Sequence, residues 1–254
     1  MKKLKKILFA SIIISTIISI RVFVFDLYNI SSGSMYPTII PGDYVLVNKI
    51  SYGPRILNIC RFLFFKEISF IRLKGVKTIQ RNDVIVFNYP QYEYLSDSLT
   101  FIYGTRLIKR CFKIAGDTVV IKPVNVILSS TFSTSNDLFP YDTSLHWSLE
   151  KYGPLYVPKK NHNFLLNHVV YSYYKDILLY ENAGIPCCND SANLNNMYNR
   201  QYSFKYDYYF MLGDNFYQSY DSRFWGFLPE THIIGKASLV LFSLDPDKPW
   251  YAKF

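Results

Sequence analysis

A run of hydroxyls around one glycine is the first place where this chain could do covalent chemistry. Residues 31–38 read Ser31-Ser32-Gly33-Ser34-Met35-Tyr36-Pro37-Thr38. Gly33 lets the backbone turn sharply, and Pro37 fixes φ and removes a donor shortly afterwards. Two hydroxyls therefore flank a bend, one suited to be a nucleophile and the other an oxyanion-hole donor. The same residues also make an ordinary Ser-rich turn. A serine hydroxyl stays inert until a base takes its proton. None of the four histidines stands in a recognisable triad context: His146, His162 and His168 fall in a loop-rich stretch and His232 near the end. A lysine can serve instead if burial among apolar groups lowers its pKa towards about 7–8. Lys109, within Arg106-Leu107-Ile108-Lys109-Arg110-Cys111-Phe112, is the candidate. Strand alternation puts Leu107, Lys109 and Cys111 on one face and Arg110 on the other, between Ile108 and Phe112. An edge-strand lysine that guards against aggregation would look the same, so spacing alone leaves both readings open.

A second island, residues 213–226, follows a strand-like run. It concentrates Asp214, Asp221, Arg223, Ser219, Ser222, Gly213 and Gly226. That mixture suits a rigid hydrogen-bonded scaffold rather than a solvated tip.

The elements that must position these groups are β-like. Short runs at Tyr44–Ile50, Asp83–Asn88, Thr105–Ile114, Thr118–Lys122, Tyr208–Leu212 and Ala237–Ser243 alternate with turn signals. Aromatic residues at 18% point the same way. The spacing predicts a mainly β, barrel-like domain built from residues 26–122 and 202–254. Residues 123–201 look different: polar stretches at 129–136 and 189–199 and the Pro-punctuated Tyr-Gly-Pro-Leu-Tyr-Val-Pro-Lys-Lys at 152–160 read as an inserted, loopy β subdomain.

At the N-terminus, Lys2, Lys3, Lys5 and Lys6 form a basic head at 1–6, and residues 7–20 carry no charge, Pro or Gly. Extended through Arg21 to Phe25, the stretch reaches about 28 Å as a helix, enough to span a bilayer if Arg21 snorkels. A removable signal peptide has a similar head and apolar run, but no A-x-A site follows, and cleavage between Ser31 and Ser34 would destroy the hydroxyl motif. The expectation is a retained transmembrane anchor over 7–25, single-pass in the cytoplasmic membrane. The positive-inside rule then keeps the head in the cytoplasm and exports the rest. This also disposes of the net charge of +9. Four of those charges belong to the head, so the remainder is ordinary and no nucleic-acid partner is expected. A chain of 254 residues, 50% hydrophobic, is not disordered.

The ordered set SGSM-x-PT, GD-x-x-LV-x-K, ND-V-x-VF, IKR, AGD, GDN…S-x-DSR-x-WG and IIGKA resembles bacterial type I signal peptidase, the membrane-bound serine protease with a Ser-Lys dyad that removes signal peptides from exported proteins. The 152–160 insert and the WGFLPETHIIGKAS ending are similar to the Bacteroidetes branch. The resemblance covers most of residues 28–122 and 202–243. It implies that Ser34 is the nucleophile and Lys109 its general base, and that the Ser34 N–H and the Ser32 hydroxyl form the oxyanion hole. By the same likeness Ser219 hydrogen-bonds and orients the base, while Arg110 with Asp214, and Asp221 with Arg223, are supporting charge pairs. Tyr28, Ile30, Met35, Val45, Val86 and Ile108 would line shallow pockets for small side chains before the cut. An extended substrate would add a strand to the edge at 105–109. The implied partners are signal peptides and the lipid bilayer, with no cofactor and no metal.

Three departures stand out: Phe216-Tyr217-Gln218 replaces the family's Arg-Asp-Asn, Arg81-Asn82-Asp83 replaces Arg-Gly-Asp, and Ile114-Ala115-Gly116-Asp117 loses a proline. Asn tolerates positive φ better than most residues, so the turn at 82 is expected to persist. Cys111 reads as a small apolar wall beside Lys109. Adjacent Cys187 and Cys188 are poorly placed to bond one another, and pairing of either with Cys60 stays open. Trp225 is expected in the core. Two other readings remain beside the signal peptidase: a different Ser-Lys dyad protease, or a non-catalytic, membrane-anchored β protein descended from one.

Overall fold

The computed structural model describes residues 2–57, 70–90, 92–95, 98–101, 104–122, 138–181, 201–245 and 252–253. Cys60, Cys187, Cys188 and Trp250 lie outside the described residues.

The N-terminal apolar run is a helix, Lys2–Phe23. Its 22 residues reach about 33 Å, enough to cross a hydrocarbon core of about 30 Å. None of its side chains is buried against the rest of the chain. It starts earlier than the uncharged run because the lysine head continues the helix, and it ends two residues before the first strand.

Sixteen strands follow among the described residues: β1 (Phe25–Asn29), β2 (Asp43–Asn48), β3 (Arg55–Leu57), β4 (Phe70–Arg72), β5 (Val84–Asn88), β6 (Tyr92–Leu95), β7 (Ser98–Phe101), β8 (Arg106–Lys113), β9 (Thr118–Ile121), β10 (Tyr152–Tyr156), β11 (Asn163–Leu165), β12 (Gln201–Ser203), β13 (Tyr208–Leu212), β14 (Leu228–Pro229), β15 (Ile233–Ser243) and β16 (Ala252–Lys253). Eight of them make one antiparallel sheet, a half-barrel in the order β1-β2-β15-β5-β8-β13-β14, with β16 on β15. The mainly β architecture expected from the sequence is therefore present. Turn residues set its corners: Asn82 adopts φ 69° and Gly116 φ 92°, so the asparagine does hold the left-handed turn. Strand β15 begins four residues before the expected Ala237, because Gly235 lets it pass close to the Asn48 carbonyl of β2.

The two faces of the sheet bury different apolar sets. Ile30, Met35, Val45, Val86 and Ile108 lie in one cluster, and Ile85, Phe87, Cys111, Met211 and Trp225 in another. Trp225 is in the core as expected, packed against Phe87 at 5.8 Å.

The described part of the insert is more regular than its polar flanks suggested. Strand β10 pairs with β9, β11 with β12, and residues His168–Tyr180 form a helix. The expectation of loops and strands alone missed this helix because Val, Ile and Tyr are poor helix formers. Its support is tertiary. Tyr174, Ile177 and Leu178, at helical spacing, bury one face, and Asn167 accepts from the Val170 amide at the N-cap. That face joins Trp147, Tyr152, Phe204, Phe210 and Phe227 in a single aromatic core shared with β13 of the main sheet.

Candidate active site

Strand β8 carries the two central cations in opposite directions. Leu107 and Cys111 pack into one cluster and Ile108 into the other, so the expected alternation holds. Lys109 faces Ile85 across the ladder to β5 and is only 3% exposed. Its Nζ donates a hydrogen bond to Ser34 Oγ. Burial is the main cause that pushes the Lys109 ammonium down to about 8; Asp221 and Asp214 oppose it and Arg223 assists. Ser34 is itself buried, and Ser32 Oγ lies 3.4 Å from Ser34 Oγ.

The 213–226 segment holds this pair from behind. Asn215 N donates to the Ser34 carbonyl and Asn215 Nδ2 to the Gly33 carbonyl, both at 3.1 Å. Gly213 lies so close beneath that a Cβ there would overlap the Ser34 carbonyl oxygen and Ser219 Oγ. Arg110 forks onto Asp214 with bonds of 2.7 and 2.6 Å. Burial alone would raise the Asp214 carboxyl, but the hydrogen bonds of Arg110 and Thr38 hold it below the usual carboxylate range. Arg223 pairs with Asp221 at 2.9 Å, both with fully buried side chains. The guanidinium also lies 4.1 Å from the centre of the Phe216 ring and bonds the Phe216 carbonyl. Phe216, where the family has arginine, is thus a lid on a buried arginine.

One edge beside the pair is open. Strand β5 covers β8 along Arg106–Arg110 on one side, whereas β13 covers the other side only from Arg110 to Lys113. Among the described residues, no strand pairs with the backbone of residues 106–109 on that side.

A buried lysine with a lowered pKa, bonded to a serine hydroxyl on a turn beside a strand edge, is suited to acyl transfer from a peptide. The family described as signal peptidase, peptidase S26, matches residues 2–242. The chain belongs to this family. It is accordingly a hydrolase, a serine peptidase of the signal-peptide-removing kind. Among its relatives are signal peptidase I of Buchnera aphidicola subsp. Baizongia pistaciae (28% identical, over 89% of this chain and 72% of the relative), of Aquifex aeolicus (28%, 94% and 84%) and of Haemophilus influenzae (28%, 92% and 68%).

The peptidase brings the sequence-predicted site residues together with one exception in detail. Tyr28, Ile30, Met35, Val45, Val86 and Ile108 share one cluster, Tyr28 partly buried and the rest buried. Ser219 is buried beside Gly213, but its Oγ makes no hydrogen bond among the described residues, and the expected bond from Ser219 to Lys109 is not formed. Instead, Ser219 packs against Gly213, on the side where the Ser34 carbonyl also approaches. Cys111 is fully buried and burial pushes its thiol up to about 12, which fits an inert wall. Asn215 and Thr38 had been given no role in the sequence, yet both tie the two motif islands together. Their signal was their place inside the motifs, at one and four positions from Asp214 and Ser34.

Proposed function

We infer that this peptidase cuts preproteins after small-x-small sites by a Ser34/Lys109 dyad. The observation that carries the reading is the hydrogen bond from Lys109 Nζ to Ser34 Oγ in a buried setting. In its neutral form Lys109 takes the Ser34 proton as Oγ attacks the scissile carbonyl carbon. Charge then develops on the carbonyl oxygen, where the Ser34 amide and the Ser32 hydroxyl are the donors at hand; a donor of this kind is worth about 100- to 1000-fold in rate. As the tetrahedral species collapses, the C–N bond breaks and the Lys109 ammonium protonates the departing amine. Water, deprotonated by the same lysine, releases the acyl group. The open edge at 106–109 supports a substrate bound as an added strand. The buried cluster of Ile30, Met35, Val45, Val86 and Ile108, with Tyr28 packed on it, supports shallow pockets for small side chains.

The N-terminal helix anchors the domain in the cytoplasmic membrane, its lysine head inside and the catalytic sheet on the exported side. Substrate and enzyme then share one bilayer, which raises their effective concentration.

The test is direct. Purified full-length protein in detergent cleaves a preprotein after a small-x-small site, and Ser34→Ala and Lys109→Ala each abolish cleavage. Retained cleavage in either variant overturns the dyad, and an inactive native protein on a good substrate favours a non-catalytic descendant.

A further inference from the structure

A cavity of about 410 Å³ opens at the foot of the N-terminal helix. Its wall includes Arg21 and Val22 of the last helical turn, together with Tyr28, Ile234 and Arg106. Tyr28 and Ile234 belong to the same apolar cluster as Ile108 and Met35. The cavity therefore joins the end of the helix to the face that supports pockets for small side chains.

Four cations line the cavity against the single carboxylate of Asp26. Three of them have structural partners. Arg21 and Lys49 share Asp26 at 3.2 and 3.0 Å, and Arg55 donates to the Thr231 and His232 carbonyls. Arg106 is different. It is exposed, it forms no ion pair among the described residues, and its guanidinium lies over the Tyr28 ring at 5.4 Å. A ring beneath a guanidinium holds its plane and leaves the N–H edges available.

Strand geometry says what this guanidinium would meet. Arg106 and Ile108 are two positions apart on β8, so their side chains leave the same face about 7 Å apart. A substrate added along the edge at 106–109 presents every second side chain to that face. Its first and third residues before the cut lie against the Ile108 cluster, and the fifth comes next on the same face. Two constraints put that fifth residue at the Arg106 end. The carbonyl to be cut must sit by Ser34 and Lys109, where the edge ends because β13 takes over at Arg110. The upstream part of a signal peptide arrives from the bilayer, and the N-terminal helix ends at the cavity that Arg106 lines.

We propose that Arg106 is a specificity-determining residue that reads the fifth substrate residue before the cut, favouring a carboxylate there and disfavouring a lysine or arginine. The inference rests on the reading of residues 106–109 as the edge that binds substrate. Because Arg106 is exposed, salt screens the preference, which is largest at low ionic strength.

The experiment is peptide binding to the full-length Ser34→Ala protein in detergent, read by fluorescence anisotropy, so that nothing depends on turnover. Labelled peptides carry Ala-Gln-Ala before the cut, with Glu, Gln or Lys at either the fifth or the fourth position. At low ionic strength Glu at the fifth position binds about tenfold more tightly than Lys, with Gln between them. At the fourth position, which points to the opposite face, the same substitutions differ by less than about twofold. Adding Arg106→Gln levels the fifth-position preference, and adding Arg106→Glu reverses it. Equal preference at both positions, or a preference that survives Arg106→Gln, reduces the effect to overall positive charge and overturns the proposal. Indifference to the fifth residue overturns it too, and failure of every peptide to bind removes the substrate edge and the proposal with it. Cleavage, not binding, tests the dyad, so an inactive native protein leaves this result standing and a lost preference leaves the dyad untouched.

Discussion

Among the described residues one lysine and one glutamate are deeply buried, and their surroundings are opposite in kind. Glu181, 2% exposed, ends the insert helix. Its carboxylate accepts from Tyr202 at 2.5 Å, Tyr208 at 2.7 Å and the Lys205 amide at 2.8 Å. Lys109, 3% exposed, has one hydrogen-bond partner among the described residues, a serine hydroxyl. Around it Ser219 Oγ and Arg223 Nη1 are buried with no hydrogen-bond partner among the described residues. A buried carboxylate with several donors around it ties together the elements that supply them. A buried charge denied such partners is driven towards neutrality, and a neutral amine is a base. The aromatic insert is thus built for stability, and the sheet edge beside β8 for reactivity at stability's expense.

The contrast can be broken most severely at Gly213. A methyl group there pushes on the Ser34 carbonyl and Ser219 together, and displacing a nucleophile by about 1 Å costs roughly 100-fold. Gly213→Ala is expected to lose at least that in kcat/KM while keeping a cooperative thermal transition. Activity within a few-fold of native removes Gly213 as a positioning residue. On the insert side, Glu181→Ala strands two tyrosine hydroxyls and an amide. It should lower stability by about 3 kcal/mol in a denaturant titration, with kcat of the folded enzyme unchanged. Lost turnover without lost stability would reverse the roles assigned to the two regions.

The lysine itself sharpens the comparison through pH. Because only neutral Lys109 accepts a proton, and its pKa is pushed down to about 8, kcat/KM should climb roughly tenfold per unit below pH 8 and level off above it. A profile flat from pH 6 to 9 contradicts the base role. The same shift acts on folding. The unfolded chain, with a lysine near 10.5, binds the proton more readily than the folded one. The penalty is therefore full below about pH 8 and fades as pH rises towards 10.5. Lys109→Met is expected to stabilise the fold at neutral pH by about 1–3 kcal/mol, with the advantage vanishing in alkali. An equally stable or weaker variant at pH 7 refutes the claim that Lys109 burdens the fold.

How much of this was legible beforehand depended on range. Strands β2, β5, β8, β9 and β13 were readable to within two residues, since alternation and turn residues are local. The helix His168–Tyr180 was not, because its face is apolar only in relation to the Trp147–Phe210 core it covers. Among the site residues, Ser34 and Lys109 were reachable from chemistry and motif order. The missing Ser219 bond was not, since a motif records which residue is present and not where its hydroxyl turns.

By itself, the sequence determined the parts that chemistry and local geometry require: an apolar helix with a lysine head, hydroxyls on a glycine bend, a lysine on an apolar strand and two acidic-basic pairs. Only the tertiary structure decided that the lysine reaches the hydroxyl. That contact joins positions 75 residues apart. Desolvation, which lowers the lysine pKa, depends on everything packed around a group rather than on its neighbours in the chain.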